Sequence, residues 1–170
     1  MYPDQEGAKK INDEKGNIHY KTEPVDATDV DKSLKGLRTM VSGFHHLKPK
    51  QAKQVLQSAS DSKQPICIFE ISDNSHPKAI WWLATPFNLI TCLFVTLLAR
   101  PITWQQLVFT YLIPIIPIAF AWDGAVSNAR TYTLDDLDLL LKDVDSEGYT
   151  WKKGIVKGKS KKIYLIGKAL

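Results

Sequence analysis

Four side chains in this sequence have the chemistry to hold a ligand or move a proton: Asp26, His45, His46 and Glu70. A histidine exchanges its proton near neutral pH, so it can act as a general base. His45 and His46 are adjacent, in SGFHHLKPK. Neighbouring residues of an extended strand point to opposite faces, which keeps the two rings from converging on one metal ion. No cysteine or acidic cluster stands at ligand spacing beside them, and no metal site is expected. The two histidines then read either as residues lining a site, one of them a general base, or as polar residues leading into a helix. Glu70 lies near the end of the apolar run PICIFEI. There it could orient a hydroxyl or amine, or be a hydrogen-bonded structural carboxylate. Asp26, in KTEPVDATDV, is a ligand contact or an ordinary turn aspartate.

The elements that must position these residues follow from spacing. Residues 4–17 are polar, a short exposed helix or a frayed end, and Asn17–Tyr20 is a weak strand. Leu37–Ser42 (LRTMVS) reads as a short buried strand. Over Lys48–Ser60, Ala52, Val55, Leu56 and Ala59 recur at i, i+3, i+4 and i+7, the pattern of an amphipathic helix with Pro49 in its first turn. Pro65–Ile71 is short, continuous and β-branched, as in a strand buried on both faces. Thr133, followed three residues on by Asp136, is a capping-box variant opening a helix to about Leu141. Tyr149–Lys157 and Lys162–Lys168, joined by Gly158-Lys159-Ser160, form an antiparallel hairpin. Strand, strand, helix, strand, insertion, helix, strand, strand is an α/β domain of the open-sheet kind, interrupted once.

The interruption is apolar. Residues 79–99 run without a charge and would span about 30 Å as a helix, the thickness of a hydrocarbon core. Residues 107–121 form a shorter run carrying Pro114 and Pro117; extended to about 102–122 it too would reach across. Arg100-Pro101 makes a tight connection between them. The expectation is a transmembrane helical hairpin over 76–122, returning the polar segments 1–75 and 123–170 to one side of the membrane. Two unpaired cysteines, Cys67 and Cys92, and the flanking lysines make that side cytoplasmic. The opening residues have no apolar core and read as no signal peptide. Arg130, Tyr132 and Asp123, just after the hairpin, are expected at the headgroups, with Arg130 a candidate anion contact.

Charge supports a lipid partner. The formal net charge is +4, and Lys152, Lys153, Lys157, Lys159, Lys161, Lys162 and Lys168 crowd the last strands. Beside an apolar hairpin these suit anionic lipid better than nucleic acid, and no nucleic-acid reading motif accompanies them. Hydrophobic residues at 44% exclude disorder throughout.

Three stretches carry a family resemblance. SGFHHLKPKQAKQVLQSA followed by PICIFEIS resembles the fourth strand, the next helix and the fifth strand of class I S-adenosylmethionine-dependent methyltransferases. EPVDATDV is similar to the end of their third strand, which would make Asp26 the cofactor-binding aspartate that meets the adenine. RTYTLDDLDLLLKDV, YTWKKGIVKG and KKIYLIGKA resemble the last helix and final strand pair. FTYLIPIIPIAFAWDGAVSNARTYT is similar to a bacterial subgroup with a membrane hairpin after the fifth strand. The resemblance implies a partial Rossmann-like methyltransferase sheet, strands 3 to 7, taken from a family order of 3-2-1-4-5-7-6. It implies S-adenosylmethionine as cofactor, with His45, His46 and Glu70 as candidate catalytic residues; the entry of the hairpin beside the ligand-binding edge of the sheet points to a lipid or membrane-associated acceptor.

The glycine-rich turn that lets such backbones approach the cofactor has no counterpart ahead of Asp26. Either a separate chain supplies that front half or the reading frame is truncated. The chain alone is then expected not to bind S-adenosylmethionine, and a non-catalytic membrane-anchored adaptor or partner subunit is the rival reading. Without the front half, Leu37–Ser42 would be an exposed apolar sheet edge.

Overall fold

A computed structural model describes residues 5–13, 20–72, 74, 77–156, 158 and 161–170. In chain order the elements are α1 (Gln5–Asp13), β1 (Arg38–Val41), a 3-10 turn (Phe44–His46), α2 (Pro49–Asp61), β2 (Ile66–Glu70), α3 (Lys78–Leu83), α4 (Thr85–Leu98), α5 (Trp104–Leu107), a π-helical turn (Val108–Leu112), α6 (Ile115–Arg130), α7 (Leu134–Lys142), β3 (Tyr149–Val156) and β4 (Lys162–Ala169). The fold is mixed α/β, with a four-stranded mixed sheet in the order β1-β2-β4-β3. β1 and β2 are parallel, and β4 runs antiparallel to both β2 and β3.

Register explains the core. Ile66 and Ile68 pair across to Gly167 and Leu165, so they share one face of the sheet with Ile163 and Trp151. Onto that face α2 lays Ala52, Val55, Leu56 and Ala59, and α7 lays Leu137 and Leu140. The i, i+3, i+4, i+7 spacing of α2 therefore does what it predicts. Thr133 caps α7: its hydroxyl accepts from the Asp136 amide at 3.2 Å, while the Asp136 carboxylate accepts from the Thr133 amide at 2.8 Å. The expected terminal hairpin forms, with Tyr149 opposite Ala169 and Val156 opposite Lys162.

Several expectations fail on the sheet. Asn17, Ile18 and His19 of the weak strand lie outside the described residues, as do Lys157, Lys159 and Ser160. Residues 20–37 contain no strand, so the third strand of the expected set is missing from the described sheet. β1 is not buried. It is the open edge expected of a sheet without its front half: Leu37 and Val41 are 61% and 62% exposed, with no strand beside them among the described residues. β2 is fully buried on one face only; Cys67 and Phe69, on the other, are half-buried.

The largest correction concerns the apolar insertion. Among the described residues no single helix is long and apolar enough to cross a membrane, which overturns the two-helix, multi-pass arrangement with both polar halves cytoplasmic. The run 79–99 divides at Ala84 into α3 and α4, because Pro86 has no amide to continue the ladder. The second run breaks at Ile113-Pro114. Residues preceding proline are pushed out of the helical region, and Ile113 sits at φ −124°, ψ 88°. The pieces Trp104–Leu112 and Ile115–Arg130 meet at 76°, a bent pair that passes for a span by length and composition only. α4 and α6 do pack as antiparallel partners, with Asn88 beside Gly124, and the π-helical turn is tied to α4 by the Tyr111 hydroxyl donating to the Leu93 carbonyl. Thr91 and Thr96 return their hydroxyls to the carbonyls of Phe87 and Cys92, each at 2.9 Å, so both polar groups are satisfied within the helix.

Candidate functional site: a buried histidine–glutamate pair at the mouth of a basic cleft

The site is built where the two parallel strands end. After Val41 the chain reverses through Ser42, whose φ of +50° lies in the left-handed region that L residues seldom adopt. The Ser42 amide donates to the Phe69 carbonyl at 2.8 Å, fastening that reversal to β2. The 3-10 turn Phe44–His46 is thereby folded over the carboxyl end of β2, where Glu70 is the last residue. Phe44 is buried and packs its ring 5.3 Å from that of Tyr132.

Glu70 is 2% exposed and accepts three hydrogen bonds. Its Oε1 receives the amides of Phe44 at 2.7 Å and His45 at 3.2 Å, and its Oε2 lies 2.7 Å from His45 Nδ1. A buried carboxylate without such partners would be costly; here the turn that it holds satisfies it. His45 is 5% exposed, so the pair is shielded from water. With the Nδ1 proton donated to Glu70, the lone pair of the neutral ring resides on Nε2. Among the described residues Nε2 has no hydrogen-bond partner. A carboxylate that fixes a histidine tautomer in this way readies the far nitrogen to accept a proton.

The pair opens on a cleft of about 380 Å³ lined by His45, His46, Leu47, Lys48, Pro49, Arg130 and Tyr132. His46 is exposed and tilts against His45 with ring centroids 4.2 Å apart. Tyr132 donates its hydroxyl to the Leu47 carbonyl at 2.7 Å, closing one wall, and burial followed by the nearby Asp136 charge raises its pKa. Among the described residues neither Lys48 nor Arg130 has an acidic partner. The cleft is therefore basic at its rim, with no acidic side chain among its described lining residues, and the Glu70 carboxylate behind it is turned onto His45.

Of the residues singled out in the sequence, His45, His46 and Glu70 converge, joined by Arg130 and Tyr132. Asp26 does not line this cleft. It is exposed in a turn, its Oδ1 accepting the Thr28 amide at 2.8 Å and the Thr28 hydroxyl at 2.7 Å, and those bonds hold its carboxyl below the ordinary range. Asp123 is exposed on α6, seven residues before Arg130. Lys48 escaped the sequence reading, although a lysine beside the Pro49 helix start was a visible cue. The pairing of His45 with Glu70 was missed because only the parallel register of β1 and β2 brings positions 25 residues apart together. Arg38 was also missed. On β1 its Nη1 donates to Ser58 Oγ at 3.3 Å, while Nε and Nη2 are buried without a partner among the described residues.

Among the described residues no three His, Cys, Asp or Glu side chains gather to hold a metal. No family model matches the sequence, and neither a curated protein nor a solved structure is significantly similar to the chain.

Proposed function

We propose that this chain is the acceptor-handling part of a methyltransferase-like enzyme, with His45 as general base and Glu70 as the residue that positions it. The observation that carries the reading is the buried His45–Glu70 pair at the carboxyl ends of two adjacent parallel strands, where ligands bind in open α/β sheets. The strand order β1-β2-β4-β3 supports the same reading, being the order that strands four, five, seven and six of the resembled sheet would give. In this scheme the His45 Nε2 lone pair takes the proton of an acceptor hydroxyl or amine. Glu70 retains the ring's orientation and stabilises the imidazolium that forms.

S-adenosylmethionine does not fit what this chain offers by itself. Asp26 follows no strand among the described residues, and its Oδ1 is taken by Thr28. No glycine-rich turn precedes it in this sequence. Cofactor binding then falls to residues outside this sequence, seated along the open edge of β1. On that strand Arg38 turns Nη1 to Ser58 of α2, and its Nε and Nη2 are buried with no hydrogen-bond partner among the described residues. The same lack of a cradle favours the second reading, a non-catalytic adaptor.

The chain retrieved from its native cells is expected to bring a companion that crosslinks to labelled S-adenosylmethionine under ultraviolet light. The pair should lose methyl transfer, but not crosslinking, when His45→Gln is introduced. A companion that does not crosslink would leave the adaptor standing. Saturable calorimetric binding by the isolated chain would overturn the division into halves.

A further inference from the structure

The acceptor class can be narrowed by asking what else lies at the end of the molecule that carries the cleft. α6 connects two environments. Its last residue, Arg130, lines the cleft, and its earlier turns expose Ile115, Ile118, Phe120 and Trp122. α4, packed beside it, exposes Phe87, Ile90, Phe94 and Leu98, and Leu112 near the hairpin tip is 77% exposed. Contiguous apolar surface on this scale marks a contact with protein or lipid. At its base Trp82 and Trp122 meet edge to face with centroids 5.1 Å apart, and tryptophan suits the boundary between tails and headgroups.

Charge selects between those occupants. The cleft beside that base presents Lys48 and Arg130 with no acidic partner among the described residues, and exposed His46. On the neighbouring strand Ile163 is opposite Glu70, which places Lys161 and Lys162 at the same end of the sheet. A basic rim next to an uncovered apolar surface matches an amphiphile with an anionic head.

We propose that the cleft takes the anionic headgroup of a lipid in a bilayer surface, gripped by Lys48 and Arg130, while the exposed faces of α4 and α6 lie among the tails. Bent at Pro114, the hairpin seats on one leaflet, and no crossing is invoked. The acceptor atom is then on or beside the headgroup, within reach of His45 Nε2. This inference rests on the methyltransferase-like reading only for that last step; headgroup binding stands or falls independently of it.

The test uses the full chain and dihexanoyl phosphatidylglycerol below its micellar concentration, with the His45 and His46 imidazole signals followed by NMR. Saturable shifts are expected, at least fivefold weaker with dihexanoyl phosphatidylcholine and with the Lys48→Gln, Arg130→Gln double variant. Both positions are exposed, and circular dichroism would verify that the variant is folded. Flotation on vesicles of phosphatidylglycerol and phosphatidylcholine should show the same preference over pure phosphatidylcholine. Equal responses to both headgroups, shifts produced as well by inorganic phosphate at the same concentration, or vesicle binding that leaves the imidazole signals unmoved would each overturn it. Because no outcome involves methyl transfer, an enzyme reading that fails leaves a positive result intact, and the reverse.

Discussion

His45 Nδ1 and Glu70 Oε2 lie 2.7 Å apart across the carboxyl ends of β1 and β2, both residues buried, and the same carboxylate caps the amides of the turn that carries the histidine. Structure and chemistry are thus coupled through one side chain. Glu70→Gln keeps an acceptor for the two amides but turns an amide N–H toward Nδ1, which moves the imidazole proton to Nε2. Glu70→Ala strands three donors. Leaving buried donors unsatisfied costs about 1–3 kcal/mol for each group, so the alanine variant is expected to lose more than the glutamine variant, whose loss is about 1–2 kcal/mol. Urea melts separate the two costs. Nitrogen-15 spectra of His45 report the tautomer, and a wild-type tautomer in Glu70→Gln would remove Glu70 from its positioning role.

Tyr149 makes the alkaline limit of the fold legible. Its hydroxyl donates to the Gln64 carbonyl at 2.7 Å, and burial pushes its pKa up from 10.0 to about 12, partly offset by Arg38. The folded state thus holds this proton where the unfolded chain releases it. The stabilising effect is complete below about pH 10 and drains away as pH rises towards about 12. Tyr149→Phe is expected to cost about 1 kcal/mol at pH 8 through the lost hydrogen bond. Its stability should then fall less steeply than wild type between pH 10 and 12. Parallel slopes in that window would show that another group governs the loss.

What could be read in advance, and what could not, divides along the range of the interactions. α2, α7 and the terminal hairpin announce themselves through local periodicity and the Thr133–Asp136 cap. Leu37–Ser42 reads as a buried strand by its pattern and as an open edge once its neighbour is lacking; the second holds, because an edge strand and a central strand share one apolar pattern and only the neighbours differ. In the apolar insertion, hydropathy is blind to direction, and the consequences of Pro86 and Pro114 for the course of the helices outweigh the length of the run. At the site, the chemical residues were visible singly. Their union depends on the parallel crossover through α2 that brings His45 and Glu70 together, which no short spacing encodes.

Gly167 is a small residue with a large consequence. Replacing a strand glycine by alanine ordinarily helps by about 0.5–1 kcal/mol. Here a Cβ would stand 2.5 Å from Trp151 Cζ3 and 2.6 Å from Tyr149 Cε1. Neither ring can yield easily. Trp151 Nε1 donates to Ser146 Oγ at 2.9 Å, and the Tyr149 hydroxyl is held by Gln64. Gly167→Ala is therefore expected to destabilise by about 1–3 kcal/mol, read from the urea midpoint and the near-ultraviolet signal of the two rings. A neutral or stabilising result would mean that the aromatic pair has another place to go.

The lysines of the last two strands, alike in sequence, separate by position. Lys153 points to the helix face, its ammonium bridging Asp138 Oδ2 and the Leu134 carbonyl, both at 2.5 Å. It is occupied in holding β3 to α7 and is poorly placed to meet a lipid headgroup. Lys161 and Lys162 precede Ile163, the partner of Glu70, and so stand at the end of the sheet that bears the cleft. A lysine near an anionic surface contributes about 1 kcal/mol, or roughly fivefold in binding. Lys161→Gln with Lys162→Gln should then weaken flotation on phosphatidylglycerol vesicles by about five- to twentyfold and leave the urea midpoint unchanged. Lys153→Gln should do the opposite, lowering stability by about 1 kcal/mol with vesicle binding intact, since its ion pair reaches an exposed Asp138 and is screened. If all three positions weakened flotation alike, the strands would act as an undirected basic patch, and the orientation of the cleft towards the lipid would lose its support.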